Sequence, residues 1–187
     1  MHVRILAFTL ITAVGSGATV GLTLSQGLAA SAPALLQGKS VIVTWTEKRV
    51  QRPLDEKQVR SVTVSVGLDL YVSDQGRVFS RMRRQNEHQA AKRDRLPGES
   101  LTGYAGETRF EDRSLTIDNK YASGARRIVV AFDAGYGGCT ASIIQGKENG
   151  SQKMIMTSMI NKKKLEVHSI EVLTPRCSVR QGNVFAP

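Results

Sequence analysis

Beyond residue 38 the apolar side chains fall on alternate positions for most of the chain, and no amphipathic helix pattern stands out among them. The clearest run places Val62, Val64, Val66, Leu68, Leu70 and Val72 on even positions, with Thr63, Ser65, Asp69 and Tyr71 between them. Such alternation puts one face of a strand in a core and the other toward solvent. The turn formers Ser73-Asp74-Gln75-Gly76 follow, which predicts a hairpin returning through residues 78–82. Upstream, residues 39–47 carry Val41, Val43 and Trp45 on one parity; downstream, residues 113–118 alternate Leu115 and Ile117 with Ser114 and Thr116. Residues 126–133 are apolar on both parities, the pattern of a strand covered on both faces. Strands are expected again over 139–145, 151–160 and 165–173, with Gly146-Lys147-Glu148-Asn149-Gly150 and Asn161-Lys162-Lys163-Lys164 as their connections. The whole pattern predicts an all-β fold, a single antiparallel β-sandwich or β-barrel of about seven or eight strands.

The first residues obey a different rule. After Arg4 the chain has no charge from Ile5 to Leu24, and small residues follow as far as Ala34. Basic start, apolar run and small-residue stretch are the three parts of a secretory signal peptide. Gly15, Gly17, Gly21 and Gly27 weaken the alternative of a membrane-spanning anchor. The expected organisation is a leader over residues 1–34, cut after Ala30 or Ala34, and a single exported domain over 35–187. Cys139 and Cys177 are the two cysteines of the chain. In the oxidising compartment that export implies they are expected to pair, tying the C-terminal tail to an internal strand.

Composition adds charge to this picture. The 187 residues carry 26 Lys and Arg against 16 Asp and Glu, a net of +10 with histidine neutral; loss of Arg4 with the leader leaves +9. Residues 77–95 hold seven of these cations (Arg77, Arg81, Arg83, Arg84, Lys92, Arg93 and Arg95) against Glu87 and Asp94. From Arg83 to Ser100 the chain is nearly free of apolar residues, so it reads as a loop or short exposed helix. Clustered cations concentrate polyanions in a salt-sensitive way, and Arg81, Arg83, Arg84, Lys92, Arg93 and Arg95 are the anion-binding candidates. In an envelope the expected partners are anionic lipid or polysaccharide. Nucleic acid is disfavoured, because aromatics make up 5% of the chain and are not interleaved as stacking platforms.

Catalytic and metal motifs are weak beside this. Met154, Met156 and Met159 are soft sulfur ligands, but period two turns Met159 away from the other two, so a core role is expected rather than copper. Glu166 and His168 share a strand parity and are expected as a solvent-facing polar pair. Gly135-Tyr136-Gly137-Gly138 lies between two expected strands and reads as a hairpin turn or bulge rather than a phosphate loop. Asn149-Gly150-Ser151 matches a glycosylation acceptor but fits a turn as well. No pattern points to a cofactor.

Two short resemblances exist. Residues 38–45, from glycine to tryptophan, resemble the opening strand of lipocalins without their tight Gly-x-Trp spacing, and none of that family's binding residues carries over. Ser123-Gly124-Ala125-Arg126 is similar to the Ser-Gly-x-x motif of bacterial envelope lysozyme inhibitors, small disulfide-bonded β-domains, although a charge of +9 would repel a cationic lysozyme. The reading that follows is an exported, noncatalytic binding or envelope-associated protein with a basic surface loop. Three alternatives stay open: a barrel holding a small apolar ligand; a hydrolase assembling a carboxylate pair from Asp69, Glu111, Asp112, Asp118 or Asp133; and a structural component binding protein through a strand edge.

Overall fold

The computed structural model describes residues 31–84, 87–88, 91–95, 106–121, 124–147, 154–158 and 161–186. The leader, Met159, the glycosylation-like triplet and Ser123 lie outside the described residues. A 3-10 turn, Ala34–Leu36, leads into eleven strands. These are β1 (Lys39–Pro53), β2 (Arg60–Val72), β3 (Val78–Arg84), β4 (Glu87–His88), β5 (Lys92–Arg93), β6 (Glu107–Glu111), β7 (Ser114–Tyr121), β8 (Gly124–Phe132), β9 (Cys139–Lys147), β10 (Met154–Thr157) and β11 (Lys164–Gln181). The larger sheet runs β10-β11-β1-β2-β3-β4, with β5 also paired to β3; the smaller runs β6-β7-β8-β9. Every strand pairing in both sheets is antiparallel.

The two sheets pack their apolar parities against each other. Val41, Val43, Trp45, Val66, Leu68, Leu70, Val72 and Val78 from the larger sheet meet Phe110, Leu115, Ile117, Ile128, Val130, Phe132 and Ile143 from the smaller. Ala32 and Leu36 close one end of this core, and the Ala32 N–H donates to the Gly76 carbonyl. Two seams join the sheets. On one, Arg95 bridges Glu107: its N–H donates to the Gly106 carbonyl at 2.9 Å and its carbonyl accepts from Thr108 at 2.7 Å. On the other, Cys139 of β9 and Cys177 of β11 form the disulfide, their Cα atoms 5.5 Å apart.

Several expectations are corrected here. Cys177 lies within a strand rather than a tail, because β11 continues to Gln181 as the partner of β1. Arg83 and Arg84 belong to β3, and the segment after them supplies β4 and β5, so the basic stretch is edge-strand structure in its described parts. Strand β8 is covered on one face only: Ala125, Arg127 and Ala131 are exposed, since no described residue packs outside the smaller sheet there. Val62 and Val64 are only half-buried, because the larger sheet outruns the smaller one at that end. The overhang carries its own small cluster of Met154, Leu165 and Val167, with Met156 and Ile170 against it. Glu166 does not face solvent with His168. Register passes from Val50↔Ser169 to Gln51↔Val167, so His168 is the extra residue of a bulge. That leaves Glu166 buried on an Arg52 ion pair while His168 stays exposed.

The turns follow their residues closely. Gly76 has φ of 73° at the end of the β2–β3 hairpin, and its N–H donates to the Ser73 carbonyl. Between β8 and β9, the Asp133 carboxylate accepts from the N–H groups of Gly135, Gly137 and Gly138, a hairpin turn as the glycines predict.

Candidate functional site

The outer face of the larger sheet is built in cross-strand rows, because antiparallel partners present their side chains on the same side. One row reads Arg176, Thr44, Gly67, Arg83 across β11, β1, β2 and β3. The next reads Ser178, Ile42, Asp69, Arg81. A third reads Arg180, Ser40, Tyr71, Phe79 and, on β5, Arg93. Arginines therefore stand at both margins of the face; between them lie small and polar side chains together with the half-buried Ile42, Tyr71 and Phe79.

Asp69 organises the β3 margin. It is 2% exposed and accepts from two guanidinium groups. Arg81 donates through Nη2 at 3.0 Å; Arg83 donates through Nε at 2.8 Å and Nη2 at 2.7 Å. The Arg83 Nη1 group makes no hydrogen bond to another described residue. A carboxylate holding two guanidinia leaves the cluster with one excess positive charge and fixes both forks in place. The C-terminal residues lie against this cluster: Ser40 Oγ donates to the Gly182 carbonyl at 2.7 Å and accepts from the Val184 N–H, and the Phe185 ring sits 5.0 Å from the Arg81 guanidinium.

Beside Arg83 the face sinks into a cleft of about 340 Å³, lined by Thr44, Trp45, Thr46, Ser65, Val66, Gly67, Arg83, Thr174 and Arg176. Its cause is a break in the β1–β11 ladder. Register passes from Thr44↔Arg176 to Thr46↔Leu173, so Thr174 and Pro175 stand against Trp45 alone. Thr174 takes a left-handed φ of 48° there. Gly67 makes the floor: a Cβ on it would lie 2.7 Å from Arg83 Nη2. Arg176, at the opposite wall, makes no hydrogen bond or ion pair to a described residue, and neither does Arg180.

The six anion-binding candidates of the sequence are thus dispersed. Arg81 and Arg83 share Asp69, and Arg93 shares their face. Arg84 pairs in register with Val66 and Lys92 with Ser80, on the opposite parity. Arg95 stands at the seam on the Glu107 carboxylate at 2.8 Å. Arg176 and Arg180 complete the face and were not singled out, because they lie far along the chain in a region of mixed charge. The legible signal was their shared parity in β11.

Other polar features are closed on themselves. A larger surface hollow of about 640 Å³ over the smaller sheet holds Arg95, Arg109 and Arg127, but Glu107, Glu111 and Asp118 pair with them. Inside the sandwich, Glu47 accepts from Trp45 Nε1 at 2.8 Å, Arg126 Nη2 at 2.9 Å and Arg49 Nε at 2.8 Å. Burial pushes the Glu47 carboxyl up, yet the charges of Arg126 and Arg49 outweigh it and hold it below its ordinary value. Asp94, buried at the seam, accepts from Ser80 Oγ at 2.9 Å, while its Oδ2 has no hydrogen-bond partner. Burial pushes its carboxyl up to about 7. Among the described residues no three His, Cys, Asp or Glu side chains converge on a common metal position.

Between the sheets the described residues form one apolar core from the side chains named for the fold. Of the carboxylate candidates, Asp69, Glu111 and Asp118 are paired with arginines, Asp133 holds its own turn and Asp112 is exposed in the β6–β7 turn. No helix among the described residues is long and apolar enough to cross a membrane. Comparison with protein-family models, curated proteins and solved structures yields no match.

Proposed function

We propose that this is an exported, noncatalytic binding protein that docks acidic polysaccharide of the cell envelope on the outer face of its larger sheet. The observation that carries the reading is the pair of uncompensated arginines, Arg176 and Arg180, facing the Asp69-held guanidinia of Arg81 and Arg83 across three strands. A field of one sign over a shallow surface attracts extended polyanions and weakens with salt. Polysaccharide is favoured over lipid because, among the described residues, the most exposed large apolar side chains, Leu35, Leu54, Val59, Ile144 and Ile155, all lie off these rows, while Ile42, Phe79 and Phe185 on the face are half-buried. A membrane-docking face combines its cations with apolar groups that insert.

Export is supported by the leader pattern and by the disulfide, which is compatible with an oxidising compartment. Ala32 in the core favours processing after Ala30, since a cut after Ala34 would remove a buried residue and its hydrogen bond to Gly76.

The test is elution from an immobilised polyuronate or heparin-like resin in a salt gradient, with anionic phosphatidylglycerol vesicles as a parallel arm. Arg176→Glu with Arg180→Glu changes exposed side chains that have no carboxylate partner. It is expected to elute at much lower salt than the parent. Unchanged elution, or retention by vesicles alone, would overturn the reading.

A further inference from the structure

We infer that the cleft at the β1–β11 bulge is a discrete subsite for one sugar residue bearing an oxyanion, a carboxylate, sulfate or phosphate. This deepens the docking reading and rests on it. Three features of the cleft converge.

The first is charge placement. Arg83 and Arg176 occupy the two ends of a single cross-strand row. Adjacent strands are about 4.8 Å apart, so their backbones are separated by roughly 14 Å across three strand spacings. The Arg83 guanidinium lies over Gly67, one spacing in from its own strand, so the hydroxyl-lined floor around Thr44 stands between it and Arg176. Arg83 presents Nη1 with no partner among the described residues, while Asp69 fixes its other two nitrogens. Arg176 has its whole fork uncommitted. An oxyanion can therefore accept from a positioned guanidinium and an adaptable one without displacing an existing ion pair.

The second is the lining between the arginines. Thr44, Thr46, Ser65 and Thr174 contribute four hydroxyls, each both donor and acceptor, which matches the hydroxyl pattern of a sugar. Gly67, in the middle of the row, is the position at which any side chain would collide with the Arg83 guanidinium. The third is size: about 340 Å³ lies at the lower end of small-ligand sites and suits one ring with its substituent. A flat electrostatic face would need neither the bulge nor the missing side chain.

The experiment uses the mature protein with its disulfide intact. Glucuronate, glucose 6-sulfate and glucose 6-phosphate are titrated separately while amide shifts are followed by NMR. At least one of them is expected to move the amides of Thr44, Thr46, Ser65, Gly67 and Thr174 together, and the three arms identify which oxyanion is preferred. Ser65→Tyr fills the cleft from an exposed strand position without altering charge. It is expected to weaken that sugar about tenfold or more and to lower the salt of elution from the polyuronate resin by less than the Arg176 and Arg180 reversal does, while an unchanged urea midpoint reports an intact fold. Gly67→Ala, which displaces Arg83, is expected to weaken the sugar similarly. If the resin result stands but no sugar moves these amides, or Ser65→Tyr binds like the parent, the subsite is overturned and the docking reading survives. If the Arg176 and Arg180 reversal fails to change elution, the docking reading falls first.

Discussion

Glu47 and its two arginines put three formal charges where the strand pattern calls for apolar residues. On β1 the inward parity runs Val41, Val43, Trp45, Glu47, Arg49, and Arg126 reaches Glu47 from β8 with no exposed side-chain surface. Removing one partner of a buried ionic cluster leaves the others uncompensated, a loss typically of about 3–5 kcal/mol. Glu47→Gln keeps the shape and some hydrogen bonds but strands two guanidinia. Urea unfolding should register a loss of about 3 kcal/mol, and a loss below about 1 kcal/mol would mean that water already screens the cluster. Asp94 poses the complementary problem, a buried acid with no cation on it. The folded chain keeps its proton up to about pH 7, whereas the ordinary aspartate value is 3.8. Between those values the unfolded state binds fewer protons, so stability falls as pH rises, by about 1.4 kcal/mol per pH unit, and levels off above the window. Comparison of urea midpoints from pH 4 to 8 should show Asp94→Asn gaining steadily on the parent up to about pH 7. A constant difference between the two would show that Asp94 ionises normally in the fold.

At the scale of elements, the two long strands β1 and β11 define the molecule and its bulges define the site. A regular ladder would have set Trp45 against one partner; the extra residue at Thr174-Pro175 opens the cleft instead. The disulfide stands on the same strand, one position beyond Arg176, and holds β9 to β11 where their sheets are not hydrogen-bonded to each other. A bridge across 38 positions stabilises by about 4 kcal/mol through the unfolded chain. Cys139→Ser with Cys177→Ser should lose a comparable amount. Hydrogen exchange should accelerate first in β9 and the C-terminal half of β11, and uniform acceleration across both sheets would contradict a seam-specific role.

Over the whole molecule, the cations that the sequence concentrates in one stretch are redistributed. Asp69 and Glu107 take up Arg81, Arg83 and Arg95 with one positive charge left over at Asp69, and β11 adds Arg176 and Arg180 to the same face. Packing of Ala32 against the core makes Ser31 the expected first residue of the exported chain. Intact mass of secreted protein checks this directly: a start at Ser31 fits the buried Ala32, and a start at Leu35 would show that the core closes without it.

Period-two alternation was enough to establish an all-β chain, most of its strands and the hairpin at Ser73-Gly76, because strand geometry writes burial into adjacent residues. The cysteine count was enough to pair Cys139 with Cys177. Local pattern also carried the apolar role of Met154, whose parity with Met156 meets Leu165 and Val167 across the β10–β11 pair. It could not say which strands would be covered twice, since β8 looks central by composition and is left bare on one side by the layer order. Nor could it anticipate the bulge at His168 that sets Glu166 opposite Arg52, because a bulge depends on the partner strand. The cleft is the strongest case: Arg83 stands out along the chain as part of the basic stretch, but Thr44, Gly67 and Arg176 do not, and the four become one row only through the register of four strands. Burial parity is a local property and was legible, whereas charge compensation and concavity depend on residues distant in sequence and were decided by the tertiary structure.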